Sequence, residues 1–314
     1  MDLQQMRYVI TVAETMSFTR AAERCHVVQS ALSHQVARLE KELGARLFER
    51  TSRRVRLTPA GEAFLPAARQ ALEAAERARA EVAAATGEIR GRLTLGAIPT
   101  VTAVDLPALL RDYRLRCPQV RISLRAGSSE RLVGQVREGL LDAAFLGVQP
   151  GFRTHGVHER DLARGRHVAV LAPDHPLAAA PALDLARLAG QAFVDFADGS
   201  AARAQSDQAF AAAGVRREVA FEVSGVELMA RMVRHGLGIA LLPAAFAAAL
   251  PGLCTVPVTD GPLRVERLIW SRATPSPAAA ALLQLLDVAG PPESAAAGAP
   301  RPHPHEAAPG GTIR

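Results

Sequence analysis

Apolar residues in the first 45 positions recur every three or four residues, the spacing that places them on one face of a helix. Residues 3–15 form the first such segment, and the second follows Ser17, whose side chain can accept a hydrogen bond from a first helical turn. The third segment stops at Gly44. It presents the apolar positions Leu32, Val36, Leu39 and Leu43. The pattern predicts a helix-turn-helix braced by one earlier helix.

A short basic hairpin is predicted after these helices. Apolar residues at 47–50 and 55–57 flank a polar turn at 51–54, which is typical of two short strands. A three-helix unit with such a wing normally lays its second motif helix in the major groove of DNA, while the wing reaches the backbone or the minor groove. The third helix leaves a polar face for that contact, consisting of Ser30, Ser33, His34, Ala37, Arg38 and Lys41.

A long alanine-rich helix is predicted from residue 59, with Thr58 as its cap and Pro59 in its first position. Its apolar residues alternate steps of four and three, which is the heptad seam of a coiled coil. The seam consists of Phe64, Ala68, Ala71, Ala75, Ala78, Val82, Ala85 and Ile89. This favours a dimer, since a protein with one helix-turn-helix per chain gains operator specificity from a second copy. The alternative is that the helix lies on its own domain.

Beyond a hinge at Gly87 and Gly91, strand-like alternation replaces the helical spacing. Strands are predicted at 93–95, 120–124, 143–147, 167–172, 192–196, 218–223, 238–242, 253–258 and 263–270, and helices at 106–116, 132–136, 202–213, 226–235 and 278–289. Strands alternating with helices indicate parallel sheets covered by helices. Two such units in series predict two lobes with a ligand cleft between them. Residues 291–314, rich in Pro, Ala and Gly, are predicted to form a disordered tail.

Charge changes the picture by its location. The chain has 314 residues, 49% of them hydrophobic, and a formal net charge of +6, which fits a folded protein of two or three domains with an anionic partner. Residues 1–60 hold ten Arg or Lys against six Asp or Glu. Most of this excess lies in the wing, at Arg50, Arg53, Arg54 and Arg56. The basic excess therefore collects beside the predicted helix-turn-helix.

Cysteine usage and hydropathy indicate a cytoplasmic protein. Cys25, Cys117 and Cys254 show neither a paired framework nor metal-ligand spacing, which is typical of a reducing compartment. Polar residues interrupt the first positions, so we expect no export signal. The longest apolar run, 237–250, is too short to cross a bilayer, and we expect no membrane partner.

Enzymatic motifs were sought and not found, and we expect a protein that is not an enzyme. Gly236 and Gly238 make only a fragment of a dinucleotide fingerprint, and no nucleophile elbow or phosphate-binding loop occurs. The histidines at 155, 158, 167 and 175 do not form a converging ligand set. The sequence therefore predicts no metal and no cofactor.

The residues resemble the LysR-type family of bacterial transcriptional regulators. The resemblance is strongest in residues 1–62, through YVITVAETMSFTRAAERCHVVQSALSHQVARLEKELGARLFER and RRVRLTPAGE, and continues in LAPDHPLA at 171–178 and GLGIALLP at 236–243. It implies an N-terminal all-α winged helix-turn-helix with a long linker helix, and a C-terminal α/β two-lobed effector domain like periplasmic binding proteins. The expected divisions are 1–58 for DNA binding, 59–90 for the linker and dimerisation helix, and 91–290 for the effector domain. Lobe I would comprise 92–161 and 267–289, and lobe II 162–266.

The resemblance implies DNA contacts from Gln29, Ser33, His34 and the wing residue Arg53. The chemistry agrees, because Gln bonds adenine edges and Arg favours guanine or a narrow minor groove. Further candidates from the same surfaces are Ser30, Arg38 and Arg54.

Three positions depart from the family pattern. Where the family usually has Ser, Pro and Arg, this chain has Val28, Ser30 and His34. Val28 cannot cap the recognition helix, and we expect Ser30 to shift the helix start or to supply some capping. His34 carries a weaker, pH-dependent charge than Arg, which predicts an altered half-site preference.

For the effector, the resemblance implies Thr100 and Thr102 after the first strand and Ser128 and Ser129 after the second. Each pair would precede a helix whose free amides favour a carboxylate or another anion. The alternative is that these residues only cap helices. From lobe II we expect Asp198, Ser200 and Arg203 to face the cleft.

The function expected is a sequence-specific DNA-binding transcriptional regulator that responds to a small-molecule effector between its two lobes. Its expected partners are double-stranded operator DNA, an effector for which an anion is one option, and further copies of itself as a homodimer and a homotetramer built as a dimer of dimers. RNA polymerase is a further candidate partner. The alternative is a small-molecule-binding protein without a DNA role, which predicts no salt-dependent DNA association.

Overall fold

The computed structural model describes residues 1–50 and 55–287. The N-terminal elements are α1 (Leu3–Thr15), α2 (Phe18–Arg24), α3 (Gln29–Leu43), β1 (Phe48–Arg50), β2 (Val55–Leu57) and α4 (Pro59–Ala85). Then follow β3 (Arg90–Ala97), α5 (Leu106–Arg116), β4 (Gln119–Ala126), α6 (Ser129–Arg137), β5 (Ala143–Val148), β6 (Val157–Leu171), α7 (Leu185–Leu188), β7 (Ala192–Phe196), α8 (Ala201–Ala212), β8 (Glu218–Val223), α9 (Val226–Arg234), β9 (Ala240–Pro243), α10 (Ala244–Ala247), β10 (Cys254–Pro257), β11 (Leu263–Ser271) and α11 (Pro277–Leu285).

The N-terminal unit is a three-helix core with a two-stranded wing, as the pattern predicts. Ser17 caps α2 by accepting a hydrogen bond from the Arg20 amide at 3.3 Å, and Gly44 ends α3 in the left-handed conformation. The buried core is built from Val9, Val12, Ala21, Leu32, Val36, Leu39, Leu47 and Phe48. Leu43 does not join it and is 40% exposed, which corrects the predicted apolar face. The chain turns at Gly44, and Leu47 and Phe48 cover the core beyond Leu39.

Helix α4 begins as predicted, with the Thr58 side chain accepting a hydrogen bond from the Gly61 amide at 3.0 Å. The helix ends at Ala85, so Ile89 lies outside it and the predicted heptad seam is too long by one position. Along the seam, Ala68 is buried within the chain, whereas Val82 is 69% exposed. The stretch around Ala68 therefore packs on its own chain, whereas the stretch around Val82 leaves an apolar surface free for a second helix. The dimer stays a prediction.

The C-terminal part is an α/β structure with two cores. The first lobe contains β3, β4, β5, β11 and the first part of β6, and its core includes Leu93, Leu95, Phe145, Leu268 and Leu282. The second lobe contains β7 to β10 and the end of β6, and its core includes Phe193, Phe210, Leu241 and Val256. The short helices α7 and α10 were not predicted. The exact lobe limits at 161 and 266 stay a prediction.

The sheets are mixed, which corrects the prediction of parallel sheets. Strand β3 lies parallel to both β4 and β5, and β7 lies parallel to β8. Strand β11 lies antiparallel to β5 and β6, and β6 lies antiparallel to β9 and β10. The reason is the path of the chain, since β6 leaves the first lobe and β11 returns to it alongside.

Strand β6 is longer than the predicted segment 167–172, because it begins at Val157. Its residues up to Arg166 pair with β11, and from His167 onward it pairs with β9 and β10. The first part is rich in exposed charged residues, so its hydropathy does not resemble that of a strand. One unbroken strand therefore joins the two lobes. Among the described helices, none is long and apolar enough to cross a membrane.

Candidate DNA-reading face and inter-lobe site

The candidate DNA-reading residues of α3 lie on one solvent-facing surface. Ser30, His34 and Arg38 are four residues apart and exposed, so they form one stripe along the helix. Gln29 and Ser33 lie on the adjacent stripe, Gln29 exposed and Ser33 half-buried. The opposite face carries Leu32, Val36 and Leu39, which are completely buried. The packing of α3 therefore presents all five candidates in one direction.

The start of α3 has no side-chain cap. The helix begins at Gln29, and its cap residue Val28 makes no side-chain hydrogen bond and is 68% exposed. The expectation that Ser30 shifts the start of the helix or caps it is therefore wrong. Instead, the Gln29 side-chain amide donates to the Ser33 hydroxyl at 2.8 Å, one turn along the helix. The free amides of the first turn point to solvent, where an anion such as a DNA phosphate can bind them.

The wing is attached to α3 by a residue that sequence reasoning missed. One carboxylate oxygen of Glu40 accepts hydrogen bonds from the Leu47 amide at 2.8 Å and the Phe48 amide at 3.1 Å. This fixes the first wing strand against the last turns of the recognition helix. The predicted wing contacts Arg53 and Arg54 lie outside the described residues.

At the inter-lobe site, the loop after β3 contacts two charged residues of β11. The guanidinium of Arg264 donates to the hydroxyl and the carbonyl of Thr100, both at 2.7 Å. The carboxylate of Glu266 accepts from the amides of Thr102 and Ala103, both at 2.8 Å, and from the Thr102 hydroxyl. The hydroxyl of Thr102, which was expected to contact the effector, is thus bonded to an internal carboxylate, as are the amides of Thr102 and Ala103.

Gly147, at the end of β5, is a meeting point of both lobes. The Ser129 hydroxyl donates to its carbonyl at 3.1 Å and accepts from its amide at 3.2 Å. The Gln205 side chain, on α8 of the second lobe, donates to the same carbonyl at 3.1 Å. A Cβ at this position would lie 2.7 Å from the guanidinium of Arg264, so glycine is required for this packing. Ser128, by contrast, is exposed and caps α6 without a side-chain hydrogen bond.

The remaining effector candidates make contacts within the second lobe. The Asp198 carboxylate accepts from the Gly199 amide at 2.9 Å, and Ser200 caps α8. Arg203 forms ion pairs with Asp207 at 3.0 Å and Glu222 at 3.2 Å. These contacts do not bring the three candidates together with the Thr100 loop.

Sequence reasoning missed Arg264, Glu266 and Gln205 as site residues. Arg264 is 5% exposed and Glu266 is 6% exposed, and they form an ion pair at 3.4 Å. The available signal was the three charged residues of RVER, at 264–267, in a strand whose other residues are mostly apolar. Charged residues buried in a strand require partners, and these partners lie 164 residues away in the sequence.

Burial governs the electrostatics of this corner. Desolvation lowers the pKa of the Arg264 guanidinium, and the nearby Glu266 carboxylate raises it. Desolvation and then the charge of Arg264 lower the pKa of buried His167 to about 4. The imidazole is therefore neutral at pH 7, and the cluster holds one cation and one anion.

The thiols lie in separate parts of the described structure. Cys25 contacts Thr11 in the N-terminal unit, Cys117 is buried in the first lobe, and Cys254 lies in β10 of the second lobe. All three are free. The described residues contain no group of three potential metal-ligating side chains.

Two family descriptions match the chain, and together they cover most of it. Residues 3–62 match a bacterial regulatory helix-turn-helix protein of the lysR family, and residues 86–289 match a LysR substrate binding domain. A probable hydrogen peroxide-inducible genes activator of Mycobacterium avium is 36% identical over 76% of this chain and 76% of its own length. The DNA-binding transcriptional dual regulator OxyR of Escherichia coli (strain K12) is 33% identical over 78% of this chain and 79% of its own.

Solved structures are similar over nearly the whole chain. A full-length OxyR variant from Pseudomonas aeruginosa is 30% identical, with a TM-score of 0.67, and the match covers 90% of this chain and 95% of that one. Full-length CbnR, solved in complex with its target DNA, is 25% identical, with a TM-score of 0.70, and the match covers 91% of this chain and 99% of that one.

Proposed function

Because this chain belongs to the LysR family of bacterial transcriptional regulators, we propose that α3 reads double-stranded operator DNA and that the Gly147 corner between the lobes binds the effector. The chain is a DNA-binding transcriptional regulator that responds to an effector. The observation that supports the DNA role most directly is the single exposed polar face of α3, with its uncapped first turn.

For DNA recognition, we propose that Gln29 and Ser33 contact base edges, while Ser30, His34 and Arg38 contact bases or phosphates along the next stripe. The hydrogen bond between Gln29 and Ser33 holds the amide in one orientation before DNA arrives, which reduces the entropy lost on binding. Arg53 and Arg54 remain proposed wing contacts. The structure solved for CbnR in complex with its target DNA supports this assignment by family likeness.

For the effector, we propose a site formed by the Thr100 loop, Ser129 and Gln205. Binding that moves Gln205 relative to Gly147 would alter the contact between the lobes and so the geometry of the DNA-reading units. An effector shifts this equilibrium only if the two arrangements differ in their affinity for it. Ser128 and Thr102 are second-rank candidates. Asp198, Ser200 and Arg203 are left out, because their contacts lie within the second lobe.

We propose that the active form is a homodimer joined through α4, with a dimer of dimers as the larger assembly. The exposed Val82 and Ala78 lie on the predicted heptad seam and provide an apolar surface for a second helix. We further propose that the protein acts in the cytoplasm without enzymatic activity, and that RNA polymerase is a partner at the promoter.

Hydrogen peroxide, which appears in the names of several relatives, is not proposed as the signal here. Peroxide acts on reactive thiolates, and the three thiols of this chain lie in separate places, one of them buried. A variant with all three cysteines replaced by serine or alanine is therefore expected to keep its effector response.

The DNA role is tested by mobility shift, using a duplex selected from a random pool by the wild-type protein. Gln29→Ala should weaken binding about tenfold or more, because a bidentate base contact contributes about 1–3 kcal/mol. The matched control is Gln35→Ala, on the same helix, whose side chain instead accepts a hydrogen bond from Gln5. Equal affinities of wild type and Gln29→Ala would overturn the assignment of α3. Failure of the wild type to bind any duplex in a salt-dependent manner would favour the DNA-free alternative.

The effector role is tested with the fluorescence of Trp270, the one tryptophan of the chain, which stacks on His158 in the ladder between β11 and β6. A panel of small acids and their amides is titrated into the full chain bound to the selected duplex. A true effector should change both Trp270 emission and DNA affinity, and Gln205→Ala should weaken both effects. Retention of full sensitivity in Gln205→Ala would place the site elsewhere.

A further inference from the structure

The Thr102 loop already holds a carboxylate that belongs to the chain itself. We propose that Glu266 is a built-in ligand of this loop and makes the cleft select an effector with a neutral group, rather than a carboxylate, at this position. The inference rests on the proposed effector site between the lobes. It identifies Glu266 as the residue that determines the class of ligand.

The contacts of Glu266 are those of a bound ligand carboxylate. One oxygen accepts from two successive backbone amides, those of Thr102 and Ala103, and the other accepts from the Thr102 hydroxyl. Converging amides and a hydroxyl form a site for an anion, and hydrogen bonds to a charged acceptor are stronger than neutral ones. Glu266 therefore already occupies the two amides and the hydroxyl that an external carboxylate would need.

The charge of the corner is also balanced without an external anion. Arg264 lies 3.4 Å from the Glu266 carboxylate, and both side chains are buried. A second carboxylate placed here would meet the charge of Glu266 in a medium of low polarity, where like charges repel strongly. Displacing Glu266 would leave its own charge buried without its hydrogen bonds. An anionic ligand is therefore disfavoured whether it binds beside Glu266 or displaces it.

Two buried polar atoms at the same corner indicate which chemical group of an effector would be complementary to it. The Nε of Arg264 and the Oε1 of Gln205 have no hydrogen-bond partner among the described residues, although both side chains are more than nine-tenths buried. Both side chains contact Gly147. One atom is a donor and the other an acceptor, so a neutral group that both accepts and donates would satisfy them. A hydroxyl or a primary amide has this property.

The test measures thermal unfolding of the full chain in sodium acetate, in sodium chloride at equal ionic strength, and in acetamide. In Glu266→Ala the loop amides lose their internal ligand, so acetate should bind there and raise Tm with the logarithm of its concentration, by about 2–4 °C well above its Kd. Chloride and acetamide should not reproduce this shift. In the wild type, acetate and chloride should give the same Tm.

Glu159→Ala is the matched control, because Glu159 also pairs with an arginine, Arg267 at 2.9 Å, in a contact that involves no backbone amide. Acetate should not raise the Tm of this variant. Glu266→Gln, which keeps the loop filled, should also show no acetate effect. A Tm of the wild type that is higher in acetate than in chloride would overturn the proposal even if Glu266→Ala did not fold. A folded Glu266→Ala variant that is indifferent to acetate would overturn it as well.

These outcomes are distinct from failure of the proposed function. The acetate titrations contain no DNA and report only whether acetate or the Glu266 carboxylate occupies the loop at 102–103. Loss of the regulator assignment would instead appear as operator binding that is unaffected by Gln29→Ala, or as effectors that are insensitive to Gln205→Ala. The proposed function can therefore stand when the Glu266 proposal fails, and the two failures are seen in different measurements.

Discussion

The recognition helix and the inter-lobe corner both carry polar residues, yet they use them in opposite ways. On α3 the candidates face solvent, and a side-chain hydrogen bond joins Gln29 to Ser33 within the same helix. At the corner, Thr100 and Thr102 are bonded to Arg264 and Glu266, far away in the sequence. The first region is arranged to receive a partner from outside. In the second region, the carboxylate of Glu266 already occupies hydrogen-bond donors that a ligand would use, which restricts what else can bind.

The largest expected effect concerns the buried pair. Arg264→Ala leaves Glu266 buried without its cation, and we expect a loss of about 3–5 kcal/mol of unfolding free energy. The matched change on the exposed helix, Arg38→Ala, should alter stability by no more than about 0.5 kcal/mol. Urea unfolding followed by circular dichroism measures both. Similar losses of unfolding free energy in the two variants would show that the corner does not depend on its charged pair more than α3 depends on an exposed charge.

The pH dependence of stability should also separate the regions. The folded-state pKa of His167 is lowered from 6.5 to about 4, so its contribution is present above pH 6.5 and is lost as the pH falls toward 4. The lowered pKa corresponds to a contribution of about 3 kcal/mol. His167→Gln should flatten this part of the stability profile, measured by urea midpoints between pH 7 and pH 4. His34→Gln, on exposed α3, should leave it unchanged.

A smaller effect is expected in DNA affinity from His34→Arg. The added permanent charge lies on the exposed stripe of α3, so it should steepen the salt dependence of operator binding by about one counterion. Affinity at low salt should rise, while the Tm of the free protein should stay the same. A change in Tm without a change in salt dependence would show that position 34 serves packing.

The smallest expected effect tests the uncapped start of α3. Val28→Ser supplies the missing acceptor for the first-turn amides and should stabilise the N-terminal unit by about 1 kcal/mol. Thermal unfolding should show a small rise in Tm, with Thr15→Ser as a control outside the cap. If stability falls, the exposed Val28 side chain has a packing role that its 68% exposure does not suggest.

Sequence reasoning was strongest where structure depends on neighbours in the chain. The Ser17 cap, the Gly44 stop and the limits of α5 follow from residues within a few positions, and the structure confirms them. The family resemblance placed Thr102 after the first strand but could not supply its partner. Glu266 meets it only after the chain has formed both lobes and returned through β11. Patterns of local hydropathy carry no information about such a contact.

The failures elsewhere have the same cause. The first ten residues of β6 include five exposed charged residues and lack the apolar alternation that identified other strands. They form a strand because β11 lies beside them and satisfies their backbone groups. The antiparallel placement of β11 likewise follows from the route of the chain and not from its own composition.

Strand β6 has a mechanical consequence. Its 15 residues span roughly 50 Å without a break and are held by β11 at one end and by β9 and β10 at the other. Because both lobes share strand β6, they cannot separate freely, and rotation of one lobe against the other must twist this strand. The β11–β6 pairing shifts register between Glu266 and Arg267, immediately beside the carboxylate that accepts hydrogen bonds from the loop at 102–103. We expect the torsion to concentrate at this irregularity.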